Sequence, residues 1–298
     1  MFAQVAIPTP RGDVRVMALA IRRMTADDLA PLARLVNAAY QRSTTSVDDL
    51  HRYLRLQPTG WLTAEWNGSR AGMVGAVDYG RRAWLGLMAV DPPLQGRGIA
   101  RALMAALLEW LDQRCPTVVL DASAAGAPLY EKLGFVDIDL VDAYRLHVRT
   151  GSAPPLSPAI SPMREADIAE AAALDATAFG HDRRAVIDSF LADDYERAFV
   201  HRNQAGAVDG YLIAQPVRIG PWVAVSSAAA AALLAAALTL PYTDEPSVLI
   251  PLANIEGIAL LEDHGFTRQR RLRHMRRGKP LIGDRRDLRY GQASFTLG

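Results

Sequence analysis

The sequence predicts an α+β fold, with helices layered on both faces of a mixed sheet, built twice along one chain. One observation is the order strand, tight loop, helix across residues 84–108, flanked by further strand and helix patterns. A second is an internal repeat, in which Met163 mirrors Met24 at an offset of 139 and Phe266 mirrors Phe135 at an offset of 131. Such a long period fits two copies of one domain and not a solenoid.

Length and composition divide the chain in the same way. At 298 residues it is long for one compact domain. Prolines and glycines crowd residues 151–162, which is typical of a linker. We therefore predict a flexible leader at 1–16 without a secretory signal, a first domain at 17–150, a linker at 151–162, and a divergent second domain at 163–298. The two domains are called the first and second repeat below.

Hydrophobic spacing and capping residues define the elements of the first repeat. Thr25 precedes an acidic pair and an apolar face, so we expect it to cap a helix. Asn67 and Gly68 between two apolar runs predict a hairpin turn. The predicted strands span 16–22, 61–66, 71–78, 84–90, 117–121 and 137–148, and the predicted helices span 25–36, 47–56, 95–110 and 124–133.

The stretch 84–108 carries the strongest functional pattern. Its strand is apolar and uncharged, which suits burial on both faces of a sheet, and Pro92 and Pro93 end it. The helix that follows begins inside a loop containing Gly96 and Gly98. Unpaired amides and the positive dipole end at a helix start favour a phosphate, and glycines let a ligand approach. A tight strand-to-helix turn would also require small residues, so both interpretations stay open.

Bulk properties narrow the function classes. The net charge of +1 gives no general attraction to nucleic acid or to an anionic membrane, and the arginines at 268–277 fit an exposed strand face. Cys115 is the single cysteine, which favours a reducing compartment, and the six histidines show no ligand spacing for a metal. The apolar run 228–240 is too short to span a membrane. We expect a soluble cytoplasmic protein without metal, membrane or nucleic-acid partners.

Two motifs resemble those of the GNAT N-acetyltransferases. Val90-Asp91-Pro92 followed by Gln95-x-x-Gly98-x-Ala100 resembles the acyl-CoA motif of that family, and residues 130–135, Tyr-Glu-Lys-Leu-Gly-Phe, resemble its Y-E-x-x-G-F turn. The resemblance implies acetyl-CoA as cosubstrate, with its pantetheine arm between the splayed strands 84–90 and 117–121 and its diphosphate on the loop amides. The residues implied to contact it are Met88, Ala89, Val90, Gln95, Gly96, Arg97, Gly98, Ile99, Ala100, Arg101 and Ser123.

The resemblance also implies direct attack of an amine on the thioester, with Tyr130 donating a proton to the departing thiolate. A phenol is protonated at neutral pH and can hydrogen-bond the sulfur. The motif favours this role for Tyr130 over the alternative of a packed aromatic beside its turn. Residues 84–90 and 117–120 contain no carboxylate, so a general base is not evident. The remaining candidates for base or substrate contact are Asp78, Asp121 and Tyr40, followed by Tyr79 and Glu65.

The second repeat departs from these motifs. It resembles the divergent C-terminal domain of bacterial tandem GNAT proteins at residues 179–183, 219–224, 265–266 and 290–295. Residues 226–230 contain no glycine, and Leu261 stands where the first repeat has Tyr130. Asn254 takes the place of Ser123. We therefore expect a catalytically silent repeat, which could shape the acceptor pocket through residues 179–183.

Together these patterns predict an acetyl-CoA-dependent N-acetyltransferase acting on a primary amine of a small molecule. Two alternatives stay open. One is an acyl-CoA-binding sensor or partner-binding module without turnover, which the missing strand carboxylate would favour. The other is acetylation of a protein N-terminus or lysine, which would require an open groove.

Overall fold

The computed structural model describes residues 18–41, 45–147, 156–280 and 282–298. The predicted leader at 1–16 and the first part of the predicted linker, 151–155, lie outside the described residues. The chain forms two compact units, Met1–Val118 and Val119–Gly298. The domain boundary near residue 150 stays a prediction from the sequence.

The first unit contains an antiparallel sheet with helices. Its strands pair in the order of the chain: β1 (Leu19–Arg23), β2 (Trp61–Trp66), β3 (Ser69–Asp78) and β4 (Ala83–Val90). Its helices are α1 (Leu29–Tyr40), α2 (Val47–Leu56) and α3 (Ile99–Asp112). The prediction for α2 is confirmed at both ends, whereas α1 continues to Tyr40 and beyond the predicted exit at residue 37.

A buried carboxylate fixes the start of α1. Asp28 is fully buried, and its oxygens accept hydrogen bonds from the Thr25 amide and from the guanidinium groups of Arg22 and Arg70. Burial alone would raise the pKa of Asp28, but these donors outweigh it and hold the pKa well below its usual range. Thr25 therefore lies at the helix start, as predicted.

The second unit contains two sheets. The first unit ends at the second residue of β5 (Thr117–Ala122). The other strands are β6 (Val136–Leu146), β7 (Ile160–Pro162), β8 (Ala198–Arg202), β9 (Val208–Ala214), β10 (Ile219–Ala224), β11 (Ser247–Pro251), β12 (Phe266–Gly278) and β13 (Arg289–Gly291). Its helices are α4 (Ala127–Lys132), α5 (Ile168–Phe179), α6 (Arg184–Leu191), α7 (Ser227–Ala237) and α8 (Ile255–Asp263). In one sheet, four of these strands lie in the order β5-β12-β6-β11, and the other sheet has the order β13-β10-β9-β8-β7.

The two repeats exchange strands in the first of these sheets. The last strand of the first repeat, β6, pairs antiparallel with β12 on one side and with β11 on the other. Both partners belong to the second repeat, and β12 lies between β5 and β6. Hydrophobic spacing predicts a strand but not its neighbour, so this exchange was absent from the sequence prediction.

Two smaller differences have local causes. Residues 160–162, assigned to the linker by their prolines, form β7 because they pair with Phe199, Val200 and His201 of β8. The helix α4 begins at Ala127, since Ser123 turns the chain first by accepting from the amides of Gly126 and Ala127. Among the described residues, the helices are all too short or too polar to cross a membrane.

Candidate functional site

A β-bulge interrupts β4 beside the predicted coenzyme contacts. Met73 pairs with Ala89 and Gly75 pairs with Gly86, so Leu87 and Met88 together oppose one residue of β3. Leu87 has a φ of 52°, which is uncommon for a residue other than glycine and marks local strain. The bulge bends the strand and leaves Met88 only half-buried.

The phenol of Tyr40 holds the bulged strand from α1. Its hydroxyl donates a hydrogen bond to the Met88 carbonyl oxygen at 3.0 Å. Tyr40 is 42% exposed, so one side of its ring faces solvent. The structure therefore places the predicted substrate candidate Tyr40 against the predicted coenzyme contact Met88.

The loop between β4 and α3 turns tightly before the helix begins. The Asp91 amide donates to the Ala71 carbonyl, and the amides of Leu94 and Gln95 then bond back to Asp91 and Pro92. The side-chain Nε2 of Gln95 donates to the Val90 carbonyl at 3.2 Å. These bonds tie the loop to the end of the strand.

The helix α3 starts at a glycine cap with open amides. Gly96 and Gly98 have φ angles of 77° and 80°, a left-handed conformation that glycine adopts without penalty. Within the part of the chain that the structure describes, the amides of residues 96–98 donate no backbone hydrogen bond. A Cβ placed on either glycine would meet no atom within 4 Å. The loop therefore presents exposed N–H groups to open space at the positive end of a helix dipole.

Two arginines add positive charge to this loop. The Arg97 guanidinium carbon lies 5.8 Å from the centre of the Trp66 ring, and Arg101 is exposed in the first turn of α3. An anion with several oxygens, such as a diphosphate, fits this combination of free amides and cations. Residues 96–101 thus combine open backbone amides with two arginines in one loop and helix start.

Tyr130 lies on α4 in the second unit. It is 7% exposed, and its ring contacts Phe135 edge-on at a centroid distance of 5.8 Å. The Phe135 amide donates to the Tyr130 carbonyl, with Gly134 at a φ of 83° between them. The chain therefore closes the turn predicted at residues 130–135. Ser123, exposed at the start of α4, accepts from the Gly126 amide through its hydroxyl oxygen at 3.2 Å.

The two candidate carboxylates are both engaged by neighbours. Asp78 accepts from the Gly80 amide at 2.7 Å and from the Cys115 thiol at 2.8 Å. Burial, followed by this carboxylate, raises the pKa of Cys115 to about 12, so the thiol stays protonated. The Asp121 side chain is fully buried, and its Oδ1 lies 2.7 Å from the Nδ1 of His274 on β12.

His274 is the partner of the candidate residue Asp121, and the sequence did not reveal it. It is fully buried, and burial together with Arg286 and Arg289 lowers its pKa despite the opposing effect of Asp121. A neutral imidazole therefore donates from Nδ1 to the carboxylate. The alternation of Leu272 and His274 on one face of β12 was the available signal, but it was hidden in a run of arginines.

The corresponding positions of the second repeat carry different groups. Ser226 caps α7, and its hydroxyl accepts from the Ala229 amide at 3.2 Å, which satisfies a donor that a glycine cap leaves open. Leu261 is fully buried. Phe179 lies between the guanidinium groups of Arg183 and Arg289, at 3.2 and 3.8 Å from its ring centre. The side chains of Phe179 and Arg183, predicted to shape an acceptor pocket, are buried inside the second unit.

The predicted residues thus fall into two groups. Residues 88–90 and 95–101, with Tyr40 and Asp78, lie in the first unit, and Asp121, Ser123 and Tyr130 lie in the second. Among the described residues, no cluster of three or more His, Cys, Asp or Glu side chains could hold a metal ion.

Two family models match this chain. One is described as the acetyltransferase (GNAT) family and matches residues 26–135. The other is described as an acetyltransferase (GNAT) domain and matches residues 171–291. Each match lies within one of the two repeats.

Two relatives share part of the sequence. N-acetyltransferase YitH of Bacillus subtilis (strain 168) is 30% identical over 172 residues, which cover 56% of this chain and 60% of that protein. Acetyltransferase ECA0875 of Pectobacterium atrosepticum is 35% identical over 97 residues, which cover 31% of this chain and 69% of that protein. The chain therefore spans less than two thirds of YitH.

Solved structures match over most of the chain. A Pyrococcus horikoshii protein described as an acetyltransferase has a TM-score of 0.83 and 26% identity, with 94% of this chain and 96% of that chain covered. A tandem GNAT protein from the clavulanic acid biosynthesis pathway has a TM-score of 0.63 and 16% identity, with 89% and 100% covered. The tandem architecture predicted from the internal repeat is confirmed.

Proposed function

This chain belongs to the GNAT family of acetyltransferases, and from that premise we propose that it transfers an acetyl group from acetyl-CoA to a primary amine. The observation that carries the proposal is the glycine-capped start of α3. There the amides of residues 96–98 face open space at a helix N-terminus. Such an arrangement suits the diphosphate of the coenzyme.

The first unit supplies the coenzyme contacts in this proposal. Amides of residues 96–101 hold the diphosphate, and Arg97 or Arg101 adds charge to it. The bulge at Leu87 and Met88 interrupts the regular pairing of β4 with β3. In this proposal, backbone groups of residues 88–90, at and next to the bulge, bond to the pantetheine arm. Acetyl-CoA supplies the activated acetyl thioester when it is bound.

Tyr130 is the proposed proton donor. A phenol can pass its proton to a sulfur anion, which the side chain of Leu261 in the second repeat cannot do. The edge-on contact with Phe135 fixes the ring plane and supports this role. Ser123, exposed seven residues earlier, is a proposed coenzyme contact.

The contacts of the two carboxylates favour structural roles for both. Asp78 already holds the Gly80 amide and the Cys115 thiol, and Asp121 holds His274 in a fully buried pair. We therefore propose that the acceptor amine enters as its free base, with solvent taking the proton. The value of kcat/KM should then rise with pH toward the pKa of the amine.

A panel of primary amines tests the function directly. Small polyamines, amino sugars, amino acid amides and N-terminal peptides would each be mixed with acetyl-CoA, and release of the CoA thiol would be followed. We expect turnover with at least one small amine. Acetyl-CoA binding without thiol release across the panel would favour the sensor, and turnover confined to peptides would favour a protein acetyltransferase.

A further inference from the structure

The second repeat has its own counterpart of the coenzyme cleft, and the chain itself fills it. The strands β10 and β11 begin side by side, since Arg218 and Ser247 form a parallel bridge and the Ser247 amide donates to Val217 at 3.1 Å. Beyond this bridge they lie in different sheets, β10 beside β13 and β11 at the edge beside β6. The two strands therefore diverge, as the resemblance implies for residues 84–90 and 117–121.

Residues 289–292 occupy the opening between the diverging strands. β13 pairs antiparallel with β10, with Gly291 opposite Trp222 and Arg289 opposite Val223. On the other side, the Gln292 amide donates to the Leu249 carbonyl of β11 at 2.8 Å. This short segment thus bonds to both strands through its backbone, as a pantetheine arm would.

Asn254 holds the segment at the position that Ser123 has in the first repeat. Asn254 and Ser123 perform the same capping, because each accepts from the amide three residues later, at Gly257 and Gly126. Asn254 has a second group, and its Nδ2 donates to the Arg289 carbonyl at 3.0 Å. Ser123 is exposed, whereas Asn254 is 2% exposed. The residue implied to touch coenzyme in one repeat touches the chain in the other.

The packing leaves no room for a coenzyme here. A Cβ on Gly220 would lie 2.4 Å from the Gln292 carbonyl oxygen, and a Cβ on Gly291 would lie 2.7 Å from the Ile219 carbonyl oxygen. The Tyr290 ring packs on Trp222 at a centroid distance of 5.2 Å and is 2% exposed. Backbone in such close contact with β10, and hydrogen-bonded to β11 on its other side, does not fit a bound acyl-CoA.

We propose that residues 289–292 act as a built-in pseudo-strand that replaces the pantetheine arm in the second repeat, so that each chain binds one acyl-CoA. The segment stabilises a cleft that would otherwise expose two strand edges. The second repeat is silent because its cleft is occupied, in addition to its lack of a glycine loop. This inference does not depend on the first repeat transferring acetyl groups.

Hydrogen exchange of the full chain, with and without acetyl-CoA, tests the inference. The amides of residues 289–292 and of β10 should be protected without coenzyme and unchanged by it, while residues 88–90 and 96–101 gain protection. Calorimetry should give one acetyl-CoA per chain. A second bound acetyl-CoA, or altered exchange at residues 289–292 on its addition, would overturn the proposal.

The substitution Asn254→Ser supplies a second, independent test. Serine retains the cap on Gly257 but loses the bond to Arg289, so exchange at residues 289–292 should rise about 5-fold, as one hydrogen bond warrants. Asn203→Ser, in the turn after β8, is the matched control and should leave that exchange unchanged. Unchanged exchange in Asn254→Ser would contradict the proposal. Complete failure to bind acetyl-CoA would overturn the proposed function, and with it the count of one acyl-CoA per chain. It would leave the pseudo-strand standing, since protection at 289–292 requires no coenzyme.

Discussion

The start of α3 and the start of α7 are corresponding elements of the two repeats. The helix-start amides are open at α3, whereas at α7 a side chain accepts a hydrogen bond from one of them. At α3 the cap is Gly98, which has no side chain to accept a hydrogen bond, so the helix-start donors remain open. At α7 the cap is Ser226, which accepts from the Ala229 amide itself. A side-chain cap can therefore satisfy a helix-start amide internally while the helix stays in place, and that amide is then no longer available to a ligand.

The largest expected effect concerns whether the repeats can be separated at all. A chain that ends at residue 150 lacks β12, which lies between β5 and β6, and it lacks β11 on the other side of β6. We expect it to show no cooperative thermal unfolding by circular dichroism. The matched control is the full chain cut once at an engineered protease site near residue 152, which should stay assembled. A cooperatively folded fragment would show that the repeats are autonomous.

Tyr130→Phe tests the proposed proton donor, which the first repeat has and the second repeat replaces by Leu261. Removal of the hydroxyl should lower kcat about 100-fold, a usual contribution of a positioned acid, and leave the Kd for acetyl-CoA unchanged. Tyr144→Phe removes a hydroxyl from a similarly buried ring, bonded to Glu262, and is the control. It should retain kcat. Full activity in Tyr130→Phe would remove this residue from the mechanism.

Gly98→Ala tests the open cap. Alanine disfavours the left-handed backbone by about 1 kcal/mol and places a methyl group where the ligand would lie, so KM for acetyl-CoA should rise about 10-fold. Gly206→Ala is the matched control, because Gly206 has a φ of 81° and equal open space around it. Steady-state kinetics should show a normal KM for the control. An equal KM in both variants would separate the loop from coenzyme binding.

The smallest effect concerns the pH dependence of stability, which we attribute to the buried pair of Asp121 in the first repeat and His274 in the second. Because the pKa of His274 is lower in the fold than in the unfolded chain, the unfolded state binds the proton first on acidification. Stability should therefore fall as pH drops below about 6.5, by at most about 1.4 kcal/mol per pH unit. His274→Gln should flatten Tm against pH between 7 and 5, and His51→Gln, at an exposed site, should not. Identical slopes in all three proteins would exclude His274 as the cause.

Local patterns in the sequence were sufficient for most elements of the fold. The bounds of α2 and the turn at residues 130–135 follow from short-range spacing, capping and glycine positions, all of which act within a few residues. The strand exchange of β6 and β12 and the pairing of β13 depend on contacts more than 60 residues apart. A strand pattern contains no information on its neighbour, so these features required coordinates.

In the candidate site, too, some residues could be predicted from local patterns and others could not. Gly96, Gly98 and Tyr130 could be singled out as candidates from the sequence because each lies in a contiguous motif. The bulge at Leu87 was not found, since leucine rarely adopts a positive φ and nothing nearby in the sequence marks it. The partner of Asp121 was also missed, because His274 lies 153 residues away.

A crystal structure of the full chain with acetyl-CoA tests the central claim most directly. We expect one molecule per chain, with its diphosphate oxygens within hydrogen-bond distance of the amides of residues 96–101 and no density between β10 and β11 other than residues 289–292. A diphosphate bound away from these amides, or a coenzyme lodged between β10 and β11, would contradict it.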